Sequence, residues 1–554
     1  MTEALMQPPI KAPTQTPSQV FVRKASGIIR QFSVWDVIYI NLANLALGLS
    51  IAVGPAWSVR LWPGSNIAVA VVVAGILSLS TAFVFAALSA SMPRSGGDYV
   101  WTSRILHPAL GFASNLAQYV TWLLLIGVFA ILIIILGVIP LLASTGVLIG
   151  NENLISLADS MYSNEFLFGF GAAVIALNVI MNILGARAVR WMFRIFVIPA
   201  FVIQLILIVA MLFVSREQFV NAFNSFYTAV GGSANGYQEV INIGKEVAGD
   251  AIRSQLTLAA SLLAIPLGAN LFLGFNFSVY LGGEVKQPAR SQLVGIMTVL
   301  GLTALVMAVS TQLFYRMVGV EFLHAMSNVF DAAPERLAFA VEPTVPFLVG
   351  VGSQSVLINV LGQAALVMWV FLLLVSFFAG SVRTMFAYSF DRLLPQALTR
   401  VNKYGVPWIS SIVIGLISIA TLALAVYTGV VDLVLNVMAI QMIVFIVIGI
   451  AAIMYPTRLK AVYDAAPAFV RQKVLGVPLL VIAGVVHVLF SLAILLIIFF
   501  TPTFGSEVGA MGTEANLFIL GLFVFGFAWY YIVRAFRKRQ GIDIDLLWNE
   551  LPPE

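Results

Sequence analysis

The chain has 554 residues, of which 61% are hydrophobic and 10% are charged. Soluble globular proteins carry about 25% charged residues, so this composition excludes a soluble domain and predicts a polytopic membrane protein. The formal net charge is +5 and there is no cysteine, which excludes disulfides, thiolate metal sites and iron–sulfur clusters.

About twelve apolar stretches follow a Pro-rich tail of residues 1–33. Each reaches the roughly 20 residues that a membrane-spanning helix needs. In chain order the predicted spans lie near residues 34–57, 66–92, 109–140, 166–184, 192–214, 255–283, 293–317, 354–390, 407–429, 431–455, 475–500 and 515–534. A polar loop of residues 215–254 separates spans 5 and 6, and residues 535–554 form a second tail.

Two of these spans contain residues that interrupt a helix. The interrupting residues are Asn41, Asn44 and Gly48 in span 1 and Pro266, Gly268, Asn270 and Gly274 in span 6. An unpaired backbone group facing lipid costs several kcal/mol, so breaks occur where protein or water covers them. Broken helices at corresponding positions of two halves indicate the binding site of a secondary transporter.

Lysine and arginine indicate the orientation. With the N-terminus inside, most of them fall on the cytoplasmic side of the loops, which predicts that both termini are cytoplasmic in a multi-pass protein of the cell membrane. Cations at membrane borders account for the positive charge without nucleic acid. His107, His324 and His487 show no metal-ligand spacing, and no catalytic or nucleotide motif occurs. We therefore expect neither a metal site, nor a cofactor, nor an enzyme.

Three further segments carry recognisable motifs. They are residues 87–100, which include Pro-Arg-Ser-Gly-Gly-Asp-Tyr, residues 272–288, which include Gly-Gly-Glu-Val-Lys-Gln-Pro, and residues 383–407, which include Asp-Arg-Leu-Leu-Pro. Together they resemble the amino acid, polyamine and organocation transporter superfamily over about residues 30–455. The resemblance implies the leucine-transporter-like fold, in which spans 1–5 (residues 34–214) and 6–10 (residues 255–455) repeat with inverted topology. Spans 11 and 12 (residues 456–534) follow.

The distribution of charge predicts the substrate class. Asp36, Glu284, Arg383 and Asp391 lie toward cytoplasmic ends of spans, and Asp432 lies near an external end. A cationic substrate would need a carboxylate partner at mid-membrane, because an unpaired buried charge is expensive. A zwitterion can instead be bound by the ends of half-helices. We therefore expect a neutral amino acid rather than a polyamine or a dibasic amino acid.

The resemblance places the substrate at the two breaks. It implies that the carboxylate meets Ala46, Leu47, Gly48 and Leu49, and that the ammonium meets Ala269, Asn270, Leu271 and Phe272. Asn41 and Asn44 have two open interpretations, which are donors to the substrate and hydrogen bonds between spans. Gly274 and Gly268 are interpreted as part of the break rather than as close-packing residues. Gln118, Trp122 and Trp369 are candidates for the lining.

Three charged residues are candidates for gating or coupling. Glu284 is interpreted as an inner-gate group that pairs with Lys286, Arg94 or Arg383, and the alternative is an interfacial ion pair. Asp36 is either a gate group or a helix cap. Arg383 either ties span 8 to the gate or extends to the interface.

The coupling ion stays open between proton and sodium. Ser376 and Ser381 could supply oxygens to sodium. The proton mechanism of some relatives resembles one with a lysine in span 5, where this chain has Arg194 and no lysine. The expected function is secondary active transport of amino acids by alternating access. The alternative is a non-transporting sensor or a transporter-like subunit, in which residues 215–254 could bind a partner. Oligomeric state is not predicted.

Overall fold

A computed structural model of the chain describes residues 30–428, 437–500 and 513–549. Eleven of its helices are long and apolar enough to cross a membrane. They are span 1 (Val34–Leu61), span 2 (Ile67–Ser91), span 3 (Pro108–Ile149), span 4 (Asn164–Ile183), span 5 (Ala186–Phe213), span 7 (Pro288–Val318), span 8 (Val356–Phe390), span 9 (Trp408–Tyr427), span 10 (Val437–Arg458), span 11 (Leu479–Phe500) and span 12 (Thr513–Arg539).

Spans 1, 3 and 6 depart from continuous α-helix. Span 1 consists of Val34–Leu45 and Leu47–Leu61, and span 3 contains a π-helical segment at Ile133–Val138. The predicted sixth span consists of four short pieces: the α-helices Leu258–Leu263 and Ile265–Asn270 and the 3-10 helices Phe277–Tyr280 and Gly282–Glu284. The prediction of an all-α membrane protein with breaks in spans 1 and 6 is confirmed.

Shorter elements connect the spans. They are Asp98–Ile105, Glu152–Ser160, Arg216–Ala229, Gly236–Ala248, Gly249–Ala251, Val320–Ala332, Pro334–Arg336, Val345–Ser353, Gln396–Thr399, Lys460–Asp464 and Ile544–Asn549, with a hairpin of Lys473–Val474 and Val477–Pro478. Residues 215–254, expected as a loop, thus contain two α-helices. The first begins with a capping box between Ser215 and Gln218, which pairs backbone donors that a helix start leaves open.

Burial separates central spans from peripheral ones. The most apolar window of span 1 is 89% buried and that of span 8 is 78% buried, whereas the window of span 12 is 17% buried. Span 5 shows the one-sided pattern of a peripheral helix, because Ile195, Ile198, Val202 and Val209 are exposed. Such apolar faces suit contact with lipid, while spans 1, 3 and 8 form the packed centre.

Both ends of the described chain lie on one face of the molecule. Near the start, Gln31 N–H donates to the Glu284 carbonyl at 2.7 Å, and near the end the Arg537 guanidinium donates to the Arg392 carbonyl at 3.1 Å. We call the side that carries these four residues the terminal face and the opposite side the distal face. The sequence predicts that the terminal face is cytoplasmic. Residues 1–29 and 550–554 of the predicted tails lie outside the described residues.

Candidate functional site at the helix breaks

The break in span 1 is a single residue, Ala46. Its backbone is left-handed, with φ 48° and ψ 58°, and a helix ends before it and another begins after it. The first N–H groups of a helix have no partner within that helix, which leaves the amides of Leu47, Gly48 and Leu49 as available donors. The next amide, Ser50 N–H, donates to the Ala46 carbonyl at 3.0 Å. A positive helix end with free donors suits an anion.

The break in span 6 is longer. The helix Ile265–Asn270 ends in a series of tight turns, and Gly274 has a φ of 99°. The carbonyls of Ala269 and Asn270 each accept from the third following amide, Phe272 N–H at 3.1 Å and Leu273 N–H at 3.0 Å. The Ala269 carbonyl also accepts from Leu271 N–H, whereas the Asn270 carbonyl oxygen retains a second lone pair. A negative helix end with exposed carbonyl lone pairs suits a cation.

The two breaks contact each other directly. The Ser50 hydroxyl lies 3.2 Å from the Leu271 carbonyl, and Ser278 N–H donates to Asn41 Oδ1 at 2.7 Å. A Cβ atom on Gly274 would overlap the Asn44 amide and backbone. The Asn41 oxygen thus forms a bond between spans, and the close approach at residue 274 requires glycine. The Nδ2 atoms of Asn41 and Asn44 are buried and have no partner among the described residues.

Span 8 closes the other side of the span 1 break. A Cβ atom on Gly48 would overlap the Trp369 indole, whose buried Nε1 donor has no partner within the described part of the chain. Buried donors are normally satisfied by protein or by bound molecules. Together with the Asn44 amide, Trp369 therefore supplies an unpaired donor beside the bare amides of span 1.

The other side chains predicted for the site differ in their contacts and hydrogen-bond partners. The Phe272 ring lies 3.3 Å from the Cβ position of Gly75 in span 2, so its backbone rather than its ring belongs to the break. The Ser376 hydroxyl donates to Leu372 O of its own helix at 2.8 Å, whereas the Ser381 hydroxyl is buried without a partner among residues that the structure describes. Trp122 packs edge-on against Tyr280, with ring centroids 4.6 Å apart.

The centre formed by these residues contains no ionisable side chain. Residues 40–50, 264–276 and 366–381, which form the breaks and the facing part of span 8, include no Asp, Glu, Lys, Arg or His. The sequence model of the amino acid permease family matches residues 32–526. The chain belongs to that family. A comparison with curated proteins found no match. Members of this family transport amino acids rather than catalyse reactions, which supports the expectation that the permease is not an enzyme.

On the terminal face the permease contains a buried ion pair. Arg383 Nε donates to Glu284 Oε1 at 2.8 Å, and the two side chains are 2% and 6% exposed. A second nitrogen of Arg383 donates to Asn182 Oδ1 of span 4 at 3.2 Å. Of the three cations proposed for Glu284, Arg383 is therefore its partner, and this arginine does not extend to the interface. The pair joins spans 4, 6 and 8.

The motif after span 2 packs on the same end of span 6. Gly96 N–H donates to the Tyr280 carbonyl at 3.1 Å, and Ser95 pairs with Leu281 as an antiparallel bridge. Gly96 and Gly97 have φ values of 99° and 53°, a region that favours glycine. A Cβ atom on Gly97 would also lie 2.7 Å from the Tyr280 ring. The Gly-Gly pair thus allows this loop to seal the end of span 6.

The chain segment before span 1 forms a strap over this contact. The amides of Gln31 and Phe32 donate to the Glu284 carbonyl at 2.7 and 2.8 Å, and Lys286 N–H donates to the Phe32 carbonyl at 2.8 Å. We call these contacts, the loop Ser95–Gly97 and the pair Glu284–Arg383 the terminal gate. Residues 31 and 32 belonged to the predicted tail, and no local pattern indicated their pairing.

Asp36 matches its interpretation as a helix cap, whereas its gating role stays a prediction. Its carboxylate completes a capping box with Ser33 at the start of span 1. Its Oδ1 also accepts two bonds from the Arg194 guanidinium of span 5, at 3.0 and 2.8 Å. The cap fixes the helix start, and the ion pair ties that start to span 5.

Sequence reasoning missed several buried or paired polar residues. Arg104 pairs with Asp391 at 2.7 Å, and Tyr99 donates to the same carboxylate at 2.8 Å. On the distal face, Trp57 Nε1 donates to Glu342 at 2.6 Å. Tyr99 and Asp391 lie in the motifs of residues 87–100 and 383–407. The sequence did not indicate that these two residues, 292 positions apart, form a hydrogen bond.

Proposed function

We propose that the chain is a secondary active transporter that moves a neutral amino acid across the cell membrane by alternating access. The observation that carries this proposal is the contact between two helix breaks in a centre without charged side chains. A net-charged substrate would meet no counter-ion there, and an unpaired charge in such a place is costly. A zwitterion brings one charge for each kind of helix end.

Recognition follows from the polarity of the two breaks. The substrate carboxylate is bound by the amides of Leu47, Gly48 and Leu49 at the positive end of the second half of span 1. The ammonium group is bound by carbonyl oxygens of residues 269–272 at the negative end of the first half of span 6. The unpaired donors of Asn44 and Trp369 add further contacts to the carboxylate side.

Transport requires the two faces to open in turn. The terminal gate closes one side, and contacts of span 1 with distal segments close the other, namely Trp57 with Glu342 and Ser327 with the Ala56 carbonyl at 3.1 Å. The strap that closes the terminal side directly precedes span 1, the second half of span 1 makes the distal contacts, and the break at Ala46 lies between them. Such a joint allows one half to move while the other stays packed.

The hydroxyl groups of Ser376 and Ser381 differ in their suitability as sodium ligands. Sodium is bound by several neutral oxygens, and the buried Ser381 hydroxyl without a described partner is better suited than Ser376, whose hydroxyl is bonded to its own helix. Uptake under an imposed sodium gradient, compared between wild type and Ser381→Ala, tests this role. Equal sodium dependence of both proteins would remove Ser381 from the ion site.

The experiment that tests the function is uptake by proteoliposomes. A labelled panel of neutral, acidic and basic amino acids and a polyamine is offered to vesicles with and without the purified chain. We expect saturable uptake of a neutral amino acid, with competition from other neutral amino acids and none from the polyamine. Saturable binding without flux would instead favour the sensor, and uptake confined to cations would contradict the proposed substrate class.

A further inference from the structure

A fourth buried carboxylate differs from the three that form ion pairs. Asp98 is fully buried at the start of the short helix Asp98–Ile105, between spans 2 and 3. Asp36, Glu284 and Asp391 each contact an arginine. Asp98 contacts neutral partners: both of its oxygens accept from Asn115 Nδ2 of span 3 at 3.0 Å, and the Tyr280 hydroxyl is a further partner.

These partners belong to the elements that close the terminal gate. Tyr280 stands in span 6 where the Ser95–Gly97 loop seals it, and its hydroxyl accepts from Gln118 Nε2 at 3.1 Å. Tyr388 of span 8 donates to Asn115 Oδ1. Asp98 therefore stands at a junction of spans 3, 6 and 8, and any movement that opens the terminal gate changes its surroundings.

The other titratable groups near this junction leave Asp98 without a cation among the described residues. Span 3 contributes Tyr119, span 6 Tyr280 and span 8 Tyr388, and none of them is charged near neutral pH. Two remaining titratable groups belong to the helix itself, Tyr99 and Arg104, and both are bonded to Asp391. The elements packed against this helix add Tyr455 and the exposed Arg458 of span 10, and Asp545 of the last 3-10 helix, which pairs with Arg534.

We propose that Asp98 is the proton-binding site of the terminal gate: in mildly acidic solution it holds a proton while the gate is closed and releases it to water at the terminal face when Tyr280 and Tyr388 move away. The proton passes from the carboxyl group to water, and the carboxylate that remains is hydrated. Closing the gate expels that water, and Asp98 takes a proton back from the same face. The idea of a gate rests on the proposed transport function.

Burial supports this assignment, because it raises the pKa of Asp98 to about 6, while hydrogen bonds from Tyr280 and Asn115 lower it in part. A hydrated aspartate has a pKa of about 3.9. Since the closed gate binds the proton more tightly, acid favours closure. Opening becomes easier as the pH rises from about 4 to about 6, by about 100-fold in the opening equilibrium, and is constant above that range.

The test uses a single thiol beneath the gate. The chain has no cysteine, so Ser381→Cys supplies the only thiol for a membrane-impermeant reagent added at the terminal face. Labelling rates are compared between this protein and the same protein carrying Asp98→Asn, at each pH, so that the pH dependence of the thiol itself cancels. We expect the labelling rate of the protein with Asp98, divided by the rate of the protein carrying Asp98→Asn, to rise from about 1 at pH 4 to about 100 at pH 7. A flat ratio would overturn the proposal.

Two measurements keep the test decisive if Asp98→Asn fails to fold. Tyr280→Phe removes a hydrogen bond that favours the charged carboxylate, so the midpoint of the labelling curve should move to higher pH. The matched control is Tyr455→Phe, which removes a buried hydroxyl of span 10 that does not bond to Asp98 and should leave the midpoint in place. An infrared pH titration should show the carbonyl band of a protonated carboxyl that disappears near pH 6, and a band lost near pH 4 only would refute the assignment.

Amino acid counterflow, measured on vesicles that contain the wild-type chain, separates the two proposals. Counterflow with a flat labelling ratio refutes the proton site and leaves the transport function intact. A rising ratio without counterflow of any amino acid refutes the transport function and leaves the proton site intact.

Discussion

Replacing Glu284 by glutamine should open the terminal gate. The change removes one charge of a pair whose side chains are 6% and 2% exposed and leaves the Arg383 guanidinium buried without a counter-ion. Breaking a buried ion pair in this way costs about 3–5 kcal/mol. The Glu284–Arg383 bond forms part of the closed gate, so the cost falls mainly on the closed state. At about 1.4 kcal/mol for each factor of ten, the closed population should fall relative to the open one by about 100-fold or more.

The assay is thiol labelling in the Ser381→Cys protein, carried out in membrane vesicles of known orientation. We expect Glu284→Gln to label from the terminal face about 100-fold faster than its parent, with normal expression and slower net uptake. The double variant Glu284→Gln with Arg383→Gln has no unpaired charge and should label more slowly than the single variant.

The matched control is an exposed ion pair at the end of span 10. Lys460 and Asp464 lie 2.6 Å apart with side chains 73% and 57% exposed, and such a pair contributes about 0–1 kcal/mol. Asp464→Asn should therefore leave the labelling rate unchanged. Equal rates for Glu284→Gln and Asp464→Asn would refute the assignment of the buried pair to the gate.

Two further predictions concern the helix break and the distal face. Gly48→Ala places a methyl group on the Trp369 indole and should reduce amino acid binding at least tenfold, whereas Gly301→Ala, with no atom within 4 Å of the new Cβ, should bind as wild type does; equal binding by both would contradict the predicted site. Burial lowers the pKa of His324 to about 4, so its contribution to stability, about 3 kcal/mol, is complete above pH 6.5 and is lost as the pH falls toward 4. His324→Asn keeps an acceptor for Arg253 N–H, which the imidazole meets at 3.0 Å, and should flatten the acid decline of the melting temperature; an unchanged decline would refute this role.

The class of the protein and the places of its helix breaks could be predicted from the sequence, because both depend on local signals. Apolar runs of the required length identify the spans, and Asn, Gly and Pro mark where a helix is weak. Ala46 itself carries no such signal, yet the break lies at the position where the family resemblance placed it. Gly274 correctly indicated the break in span 6, because its positive φ and its contact with span 1 both require the absence of a side chain.

Contacts between distant segments could not be predicted in the same way. Glu284 had three candidate partners, and the choice of Arg383 depends on the register of span 8 against span 6, which hydropathy does not define. The strap at residues 31 and 32 uses backbone groups, which any sequence possesses. Asp98 was visible within a motif, but its neutral surroundings come from Asn115 and Tyr280, which lie 17 and 182 residues away along the chain.

The central claim is that two bare helix ends bind the two charges of a neutral amino acid. The most direct measurement is equilibrium binding of a transported amino acid to the purified chain, with its methyl ester, its N-acetyl derivative and a polyamine as competitors. Each of the first two competitors lacks one charge, so we expect the free amino acid to displace the label and all three competitors to fail. Displacement by the ester or the N-acetyl derivative at the concentration of the free amino acid would contradict the claim.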